Sequence, residues 1–82
     1  MNSLLESIKY PQYRRYKNGL NYFKILSPVL CEEIKVVGSK RLTYIIEAKQ
    51  YPEKFFINDL LLNYVLFADE ISEVEYEKQK IN

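Results

Sequence analysis

Two stretches in the first half of the chain alternate apolar and polar side chains with period two, which is the pattern of half-buried β-strands. They run from Gln12 to Leu26 and from Cys31 to Ala48, and each contains a glycine near its middle. Gly19 and Gly38 allow the tight chain reversal that a hairpin needs. The pattern therefore predicts two antiparallel hairpins, and we expect them to form the centre of the fold.

The loop length of the second hairpin decides which of its side chains share a face. A three-residue loop over Gly38 to Lys40 places Val36 opposite Leu42 and gathers apolar side chains on one face. A two-residue loop instead places Val36 opposite Arg41 and turns every side chain of the fourth strand over. Because the longer loop collects the apolar residues, it is the register that we predict.

The first hairpin carries the dipeptide Asn18-Gly19, which is typical of a two-residue type I′ turn with positive φ at both central residues. The resulting register places Arg15 opposite Tyr22 and gives the hairpin two unlike faces. One face, which we assign to the core, carries Arg14, Tyr16, Phe23 and Ile25. The other interleaves aromatic and basic side chains: Tyr13, Arg15, Lys17, Tyr22 and Lys24, with Leu20 beside them. We call those five aromatic and basic residues the hairpin face and expect it to face water.

The hairpin face supports three interpretations. Rings that stack on bases and cations that follow phosphates are typical of a platform for single-stranded nucleic acid. The same face can dock another protein. In a purely structural interpretation the stems of Arg and Lys cover the Tyr rings on a solvated face, with cation–π pairs between Arg15 and Tyr22 and between Lys24 and Tyr13.

In the second half of the chain the apolar spacing changes to that of a helix. The segment Tyr51 to Glu53 is typical of a helix start, with Pro at an early position and Glu near the positive end of the helix dipole. The pattern predicts a helix from there to near Leu62 and a short strand from Tyr64 to Ala68. One longer helix, reaching Phe67, is the alternative.

This helical region is more apolar than one small sheet needs to cover. Its large side chains give a candidate interface for self-association, made of Phe55, Phe56, Leu60, Tyr64 and Phe67. The alternative is a helix that is buried on both sides by the fifth strand and the terminal helices.

Capping-box patterns mark a helix at each end of the chain. The motif Ser3 to Glu6 predicts an N-terminal helix over residues 2–10, and the motif Ser72 to Glu75 predicts a C-terminal helix over residues 73–80. Together the elements predict a small single α+β domain over residues 1–82. Its sheet is mainly antiparallel, with four to five strands in two hairpins, and the N-terminal helix, the helix after Pro52 and the C-terminal helix are expected to cover one face.

Composition narrows the functional classes. The chain has 82 residues, one Cys and no His, so it lacks an intramolecular disulfide and the commonest general base and transition-metal ligand. Cys31 is expected to be a packing residue. Adjacent carboxylates such as Glu32 and Glu33 point to opposite faces of a strand, which is wrong for acid–base cooperation. We therefore expect no enzyme activity, no metal and no cofactor.

The apolar and charged segments also predict where the protein works. The most apolar run, Leu60 to Ala68, is far shorter than the roughly 20 residues of a membrane helix. The N-terminus has no signal-peptide pattern, and a lone Cys suits a reducing compartment. We expect no membrane association and a cytoplasmic location.

Charge is divided unevenly along the chain. Residues 1–49 carry nine Lys and Arg against four Glu, a net charge of +5, whereas residues 50–82 carry three Lys against seven acidic residues, a net charge of −4. The two halves either neutralise each other in the folded domain or leave the basic half as a docking surface.

These observations lead to two functional hypotheses. The first is a small non-enzymatic protein-interaction module whose partner is another protein or a second copy of itself in a homodimer. The alternative is weak, non-sequence-specific binding of single-stranded nucleic acid on the hairpin face. Steep salt dependence of oligonucleotide binding would distinguish the second from the first.

Overall fold

The computed structural model of the protein describes residues 7–81, with side chains through residue 80. It contains five strands and two helices in that range: β1 Gln12–Tyr16, β2 Asn21–Ser27, β3 Leu30–Val37, β4 Lys40–Glu47, α1 Tyr51–Leu62, β5 Ala68–Glu70 and α2 Glu73–Ile81. The α+β class predicted from the sequence is confirmed. The predicted N-terminal helix lies mostly outside the described residues, and Ile8 to Tyr10 are not helical.

All five strands form one antiparallel sheet with the spatial order β4-β3-β2-β1-β5. The first four strands follow one another as a meander, because short turns join each strand to the next. β5 returns to the far side of β1. The two edges of the sheet are therefore β4, with eight residues, and β5, with three.

The ladder of the first hairpin has the predicted register, with Arg15 opposite Tyr22 and Tyr13 opposite Lys24. The turn itself differs from the type I′ prediction, since Gly19 takes positive φ, 73°, and no other kind of residue in the described range does. The Asn18 side chain instead accepts a hydrogen bond from the Leu20 N–H at 2.8 Å. This local hydrogen bond stabilises the turn, and Asn18 keeps a negative φ.

The three-residue loop predicted for the second hairpin is wrong. Val37 lies opposite Lys40 and Val36 opposite Arg41, which leaves a two-residue loop. Gly38 has φ 61° and Ser39 follows without positive φ, as in a type II′ turn with Gly at its first central position. Turn chemistry therefore outweighs apolar matching, and the side chains of β4 are turned over from the predicted arrangement.

Helices cover both faces of the sheet, so the prediction that they cover one face is wrong. Phe23 and Tyr22 are neighbours in β2 and point to opposite faces, yet both are buried. α1 covers the face of Phe23 with Ile57, Leu60 and Leu61. α2 covers the face of Tyr22, and its buried Tyr76 packs with Tyr13, Tyr22 and Ile34.

The helix α1 follows β4 and begins at Tyr51, as the sequence predicts. Glu53 accepts a hydrogen bond from the Gln50 N–H at 3.3 Å, which caps the helix start. The helix ends at Leu62, as predicted, but the next strand begins at Ala68 rather than Tyr64. Neither described helix has the length and apolar content needed to cross a membrane.

Candidate functional site

The hairpin face is covered by α2 rather than exposed to water. Tyr13 and Tyr22 are both buried, and the Tyr13 ring centroid lies 5.4 Å from that of Tyr76 in α2. The expectation that these rings face solvent is therefore wrong. Two aromatic members of the predicted binding site instead belong to a hydrophobic core.

The cations at the end of the hairpin face bind carboxylates from the acidic half of the chain. Arg15 Nη1 lies 2.7 Å from Glu75 Oε2, and its Nη2 lies 3.3 Å from Asp69 Oδ2. Lys17 Nζ lies 2.8 Å from Asp69 Oδ1. Hydrogen bonds lower the pKa of Asp69, and the bond from Lys17 has a larger effect than the bond from Arg15. Here the two oppositely charged halves neutralise each other, which is one of the two outcomes expected from the sequence.

Lys24, the fifth member of the hairpin face, is half-buried and lies opposite Glu32 of β3. The predicted cross-strand pairs are neighbours in the ladder, but the cation–π contacts among the described residues belong to other cations. Arg14 lies 4.0 Å from the Tyr64 ring centroid, and Lys80 lies 5.6 Å from that of Tyr76.

Glu32 is the centre of a polar cluster that attaches α2 to the sheet. Its Oε1 accepts a hydrogen bond from the Tyr76 hydroxyl at 2.8 Å and lies 2.7 Å from Lys80 Nζ. Burial by itself raises the pKa of Glu32, but the hydrogen bonds from Lys80 and Tyr76 outweigh it and lower the pKa. The cluster stabilises the ionised carboxylate and holds α2 in place.

The candidate interface on α1 and the following turn does not form one exposed surface. Leu60 is fully buried, Phe56 is half-buried with its ring centroid 5.7 Å from that of Phe23, and Tyr64 is half-buried under Arg14. Phe55 and Phe67 are exposed. Leu60, Phe56 and Tyr64 therefore pack within the domain, whereas the predicted burial of the helix on both sides, by the fifth strand and the terminal helices, is not what the structure shows.

Arg14 is a buried charged residue whose guanidinium donates to two backbone carbonyls. It is 3% exposed. Its Nε donates to the Leu60 carbonyl at 2.9 Å, and its Nη1 donates to the Tyr13 carbonyl at 2.8 Å. Burial lowers the pKa of its guanidinium. The sequence register already placed Arg14 on the core face, but its partners in α1 follow only from the tertiary structure.

The remaining side chains that could serve in catalysis or metal binding are either far from one another or buried. Glu32 faces α2, whereas Glu33 Oε2 accepts a hydrogen bond from the Asn21 side chain at 2.6 Å on the opposite face. Cys31 is fully buried, and desolvation raises the pKa of its thiol to about 12. Among residues 7–81 no three side chains of the metal-binding types are grouped to hold an ion.

The open edge of β4 combines unpaired backbone groups with exposed apolar side chains in the described structure. Among the described residues no strand pairs with its outer side. Leu42, Tyr44 and Ile45 are 40%, 45% and 63% exposed, on both faces of the strand. We call this surface, residues 40–47 with their outward backbone groups, the β4 edge. The sequence did not single it out, because the predicted register placed Leu42 and Tyr44 opposite core residues.

Comparisons of the chain with family models, curated proteins and solved structures found no match.

A second exposed apolar group lies in the turn between α1 and β5. Val65 and Leu66 are strongly exposed, and with Leu62 and Asn63 they line a shallow depression of about 310 Å³. No charged side chain lines it. The depression is open and lacks the converging polar groups that fix a small ligand.

Proposed function

We propose that the protein is a small non-enzymatic interaction module that binds another polypeptide chain at the β4 edge. The observation that carries the proposal is an eight-residue edge strand that keeps three large apolar side chains in solvent. An unpaired edge presents a row of N–H and C=O groups that can pair with an added strand. Backbone hydrogen bonds supply affinity in this mode of binding, and alternate side chains supply specificity.

The other edge of the sheet supports the choice of β4. β5 has only three residues, Ala68 to Glu70, and two of them are acidic. Short length and charge are the usual means by which an edge strand is protected from pairing. β4 lacks this protection, since its five central residues, Leu42 to Ile46, carry no charge.

The nucleic-acid hypothesis has less support than protein binding. It depends on Tyr rings that stack on bases, and Tyr13 and Tyr22 are under α2. Arg15 and Lys17 are engaged by carboxylates. A labelled oligothymidylate should therefore show no salt-sensitive binding to the folded protein. Binding that falls steeply with salt and is lost in Lys24→Glu would favour the nucleic-acid hypothesis instead.

A cytoplasmic location belongs to the same proposal. Its support is the buried, unpaired thiol of Cys31, which suits a reducing compartment. The partner is a protein, and a second copy of the chain is one such partner.

The proposal is tested with an array of eight-residue peptides in which apolar and polar side chains alternate. Ile45→Pro removes one backbone N–H from the open edge, and Ile45→Ala shortens the same side chain but keeps that N–H. We expect wild type and Ile45→Ala to bind a common set of peptides that Ile45→Pro does not bind. Equal binding by Ile45→Pro, or no binding by a wild-type protein that is monomeric in the same solution, would refute the proposal.

A further inference from the structure

We infer that the β4 edge pairs with the β4 edge of a second copy of this chain. The two strands are antiparallel and are related by a two-fold axis that lies midway between the two copies of Tyr44. The inference rests on the proposed function and specifies its partner and its register. The two sheets then join into one continuous sheet. Four features of the strand support it: the direction of its backbone groups, the registers that symmetry allows, its charges and its apolar side chains.

Hydrogen bonds on both sides of β3 fix which backbone groups of β4 point outward. Val36 N donates to Leu20 O at 2.8 Å, on the β2 side, and Ala48 N donates to Val29 O at 2.8 Å, on the β3 side. Backbone groups of an antiparallel strand alternate in direction from one residue to the next. The even-numbered residues of β4 therefore bond to β3. The odd-numbered residues, Arg41, Thr43, Ile45 and Glu47, direct their N–H and C=O groups to the open edge.

Symmetry limits the registers that two copies can adopt. A two-fold axis perpendicular to the sheet places each residue opposite one whose side chain is on the same face. One residue must therefore lie opposite its own copy, with the axis midway between the two. We name each register by that residue and call it the position of the axis. With the axis at Tyr44, all four outward residues of one copy face outward residues of the other. An axis at Thr43 places Glu47 opposite Ser39, in the turn. An axis at Ile45 places Arg41 opposite Lys49, which puts like charges together.

The Tyr44 register is also the one in which the charges of β4 complement each other. It places Arg41 of each copy opposite Glu47 of the other, twice per dimer. Arg41 makes no ion pair with any residue that the structure describes, and its Nε binds the Gln79 side chain at 3.2 Å. Glu47 has an exposed contact of 3.5 Å with Lys49. Arg41 is half-buried and Glu47 is exposed, so the new pair would compete with one side-chain hydrogen bond and one long surface contact.

Apolar side chains fill the space between these charged pairs. The Tyr44 register places Leu42 opposite Ile46, Thr43 opposite Ile45 and the two Tyr44 rings opposite each other. Aromatic and β-branched cross-strand pairs of this kind stabilise antiparallel strands. Association would remove from water the exposed side chains of Leu42, Tyr44 and Ile45, which the monomer leaves uncovered.

A single engineered cysteine tests the position of the axis. In the Tyr44 register the two Tyr44 residues form a pair without backbone hydrogen bonds, with Cα atoms about 4.5 Å apart, within the range of a disulfide. Tyr44→Cys should therefore give a disulfide-linked dimer under mild oxidation, whereas Leu42→Cys, equally exposed, should not. Native Cys31 is fully buried and does not interfere. Cross-linking of Leu42→Cys in place of Tyr44→Cys would overturn the register.

Charge exchange gives an independent test by analytical ultracentrifugation of the full chain. Arg41→Glu and Glu47→Arg each place like charges together at both ends of the dimer, so each variant alone should dimerise about tenfold more weakly than wild type. A mixture of the two variants restores both opposite-charge pairs and should recover wild-type affinity. Failure of the mixture to recover would overturn the pairing of Arg41 with Glu47.

The outcomes also separate this inference from the proposed function. A wild-type protein that is strictly monomeric, but binds peptides at the β4 edge, would end the homodimer and keep the interaction module. A dimer that is unaffected by Ile45→Pro would place self-association on another surface and end the inference. A monomer that binds no peptide would end both.

Discussion

The Tyr76 hydroxyl donates a hydrogen bond of 2.8 Å to the Glu32 carboxylate, and so connects α2 to β3 across one face of the sheet. The Tyr76 ring is fully buried against the hairpin face, and Lys80 Nζ binds the same carboxylate oxygen. One aromatic side chain and one ionised carboxylate thus fix the helix that covers Tyr13 and Tyr22. The hairpin face is therefore largely covered within the monomer.

Removal of the Tyr76 ring should destabilise the whole domain. Tyr76→Ala should lower the free energy of unfolding by about 4 kcal/mol, because large buried aromatic side chains cost about that much when truncated. Tyr76→Phe keeps the ring and loses only the hydrogen bond to a charged group, about 1.5 kcal/mol. Urea unfolding measures both. Equal stability of Tyr76→Ala and wild type would show that α2 is not docked as described.

The Glu32 cluster should make stability depend on acidic pH. Burial raises the pKa of Glu32, but the hydrogen bonds from Lys80 and Tyr76 lower it overall, below its value of about 4.3 in an unfolded chain. A carboxyl with a lowered folded pKa contributes stability above the unfolded pKa, and that contribution is lost as the pH falls through the folded pKa. The difference in unfolding free energy between wild type and Glu32→Gln should therefore be constant near neutral pH and shrink below about pH 4. A difference that does not change with pH would contradict this assignment.

Arg14 should tolerate replacement far less well than its neighbour Arg15. Arg14→Lys keeps the charge but cannot reproduce the planar set of hydrogen bonds to the Leu60 and Tyr13 carbonyls, so we expect a loss of about 2 kcal/mol. Arg15 is about one-third exposed and makes surface ion pairs. Arg15→Lys should therefore cost less than about 1 kcal/mol. Thermal or urea unfolding of the matched pair measures the difference, and equal losses would show that burial of Arg14 is not important.

Cys31 should be chemically inert in the folded protein. Its thiol is fully buried, and desolvation raises its pKa to about 12, so almost no thiolate is present at neutral pH. A thiol reagent such as Ellman's reagent should react slowly with the native protein and quickly in denaturant. Leu42→Cys supplies an exposed thiol as the positive control. Rapid reaction of native Cys31 would show that the core around it opens easily.

The sequence predicted the register of the first hairpin, though not its turn type, because local chemistry determines the pairing. Asn18-Gly19 and the alternation beside it correctly placed Arg14 and Phe23 on the core face. The second hairpin differs because two turn lengths were compatible with its sequence, and the choice reverses the faces of β4. Gly38 at the first turn position favours the shorter loop, and apolar matching misled the prediction because β4 is an edge strand.

Burial of the hairpin face could not be read from its own residues. It depends on α2, whose docking is a contact between positions far apart in the chain. Two signals pointed to it: the opposite charges of the two halves and a single aromatic residue, Tyr76, in a mostly polar helix. Neither signal specifies which face the helix covers. Burial of the Tyr rings is therefore a consequence of the tertiary structure.

Amide hydrogen exchange along β4 most directly tests the claim that the β4 edge pairs with a strand of another chain. The N–H groups of Leu42 and Tyr44 bond to β3 and should exchange slowly at every protein concentration. Those of Thr43 and Ile45 point to the open edge, so they should exchange quickly in dilute protein and become protected as the concentration rises. Exchange at Thr43 and Ile45 that is equally fast at all concentrations, and is not slowed by any peptide that binds the protein, would contradict the account.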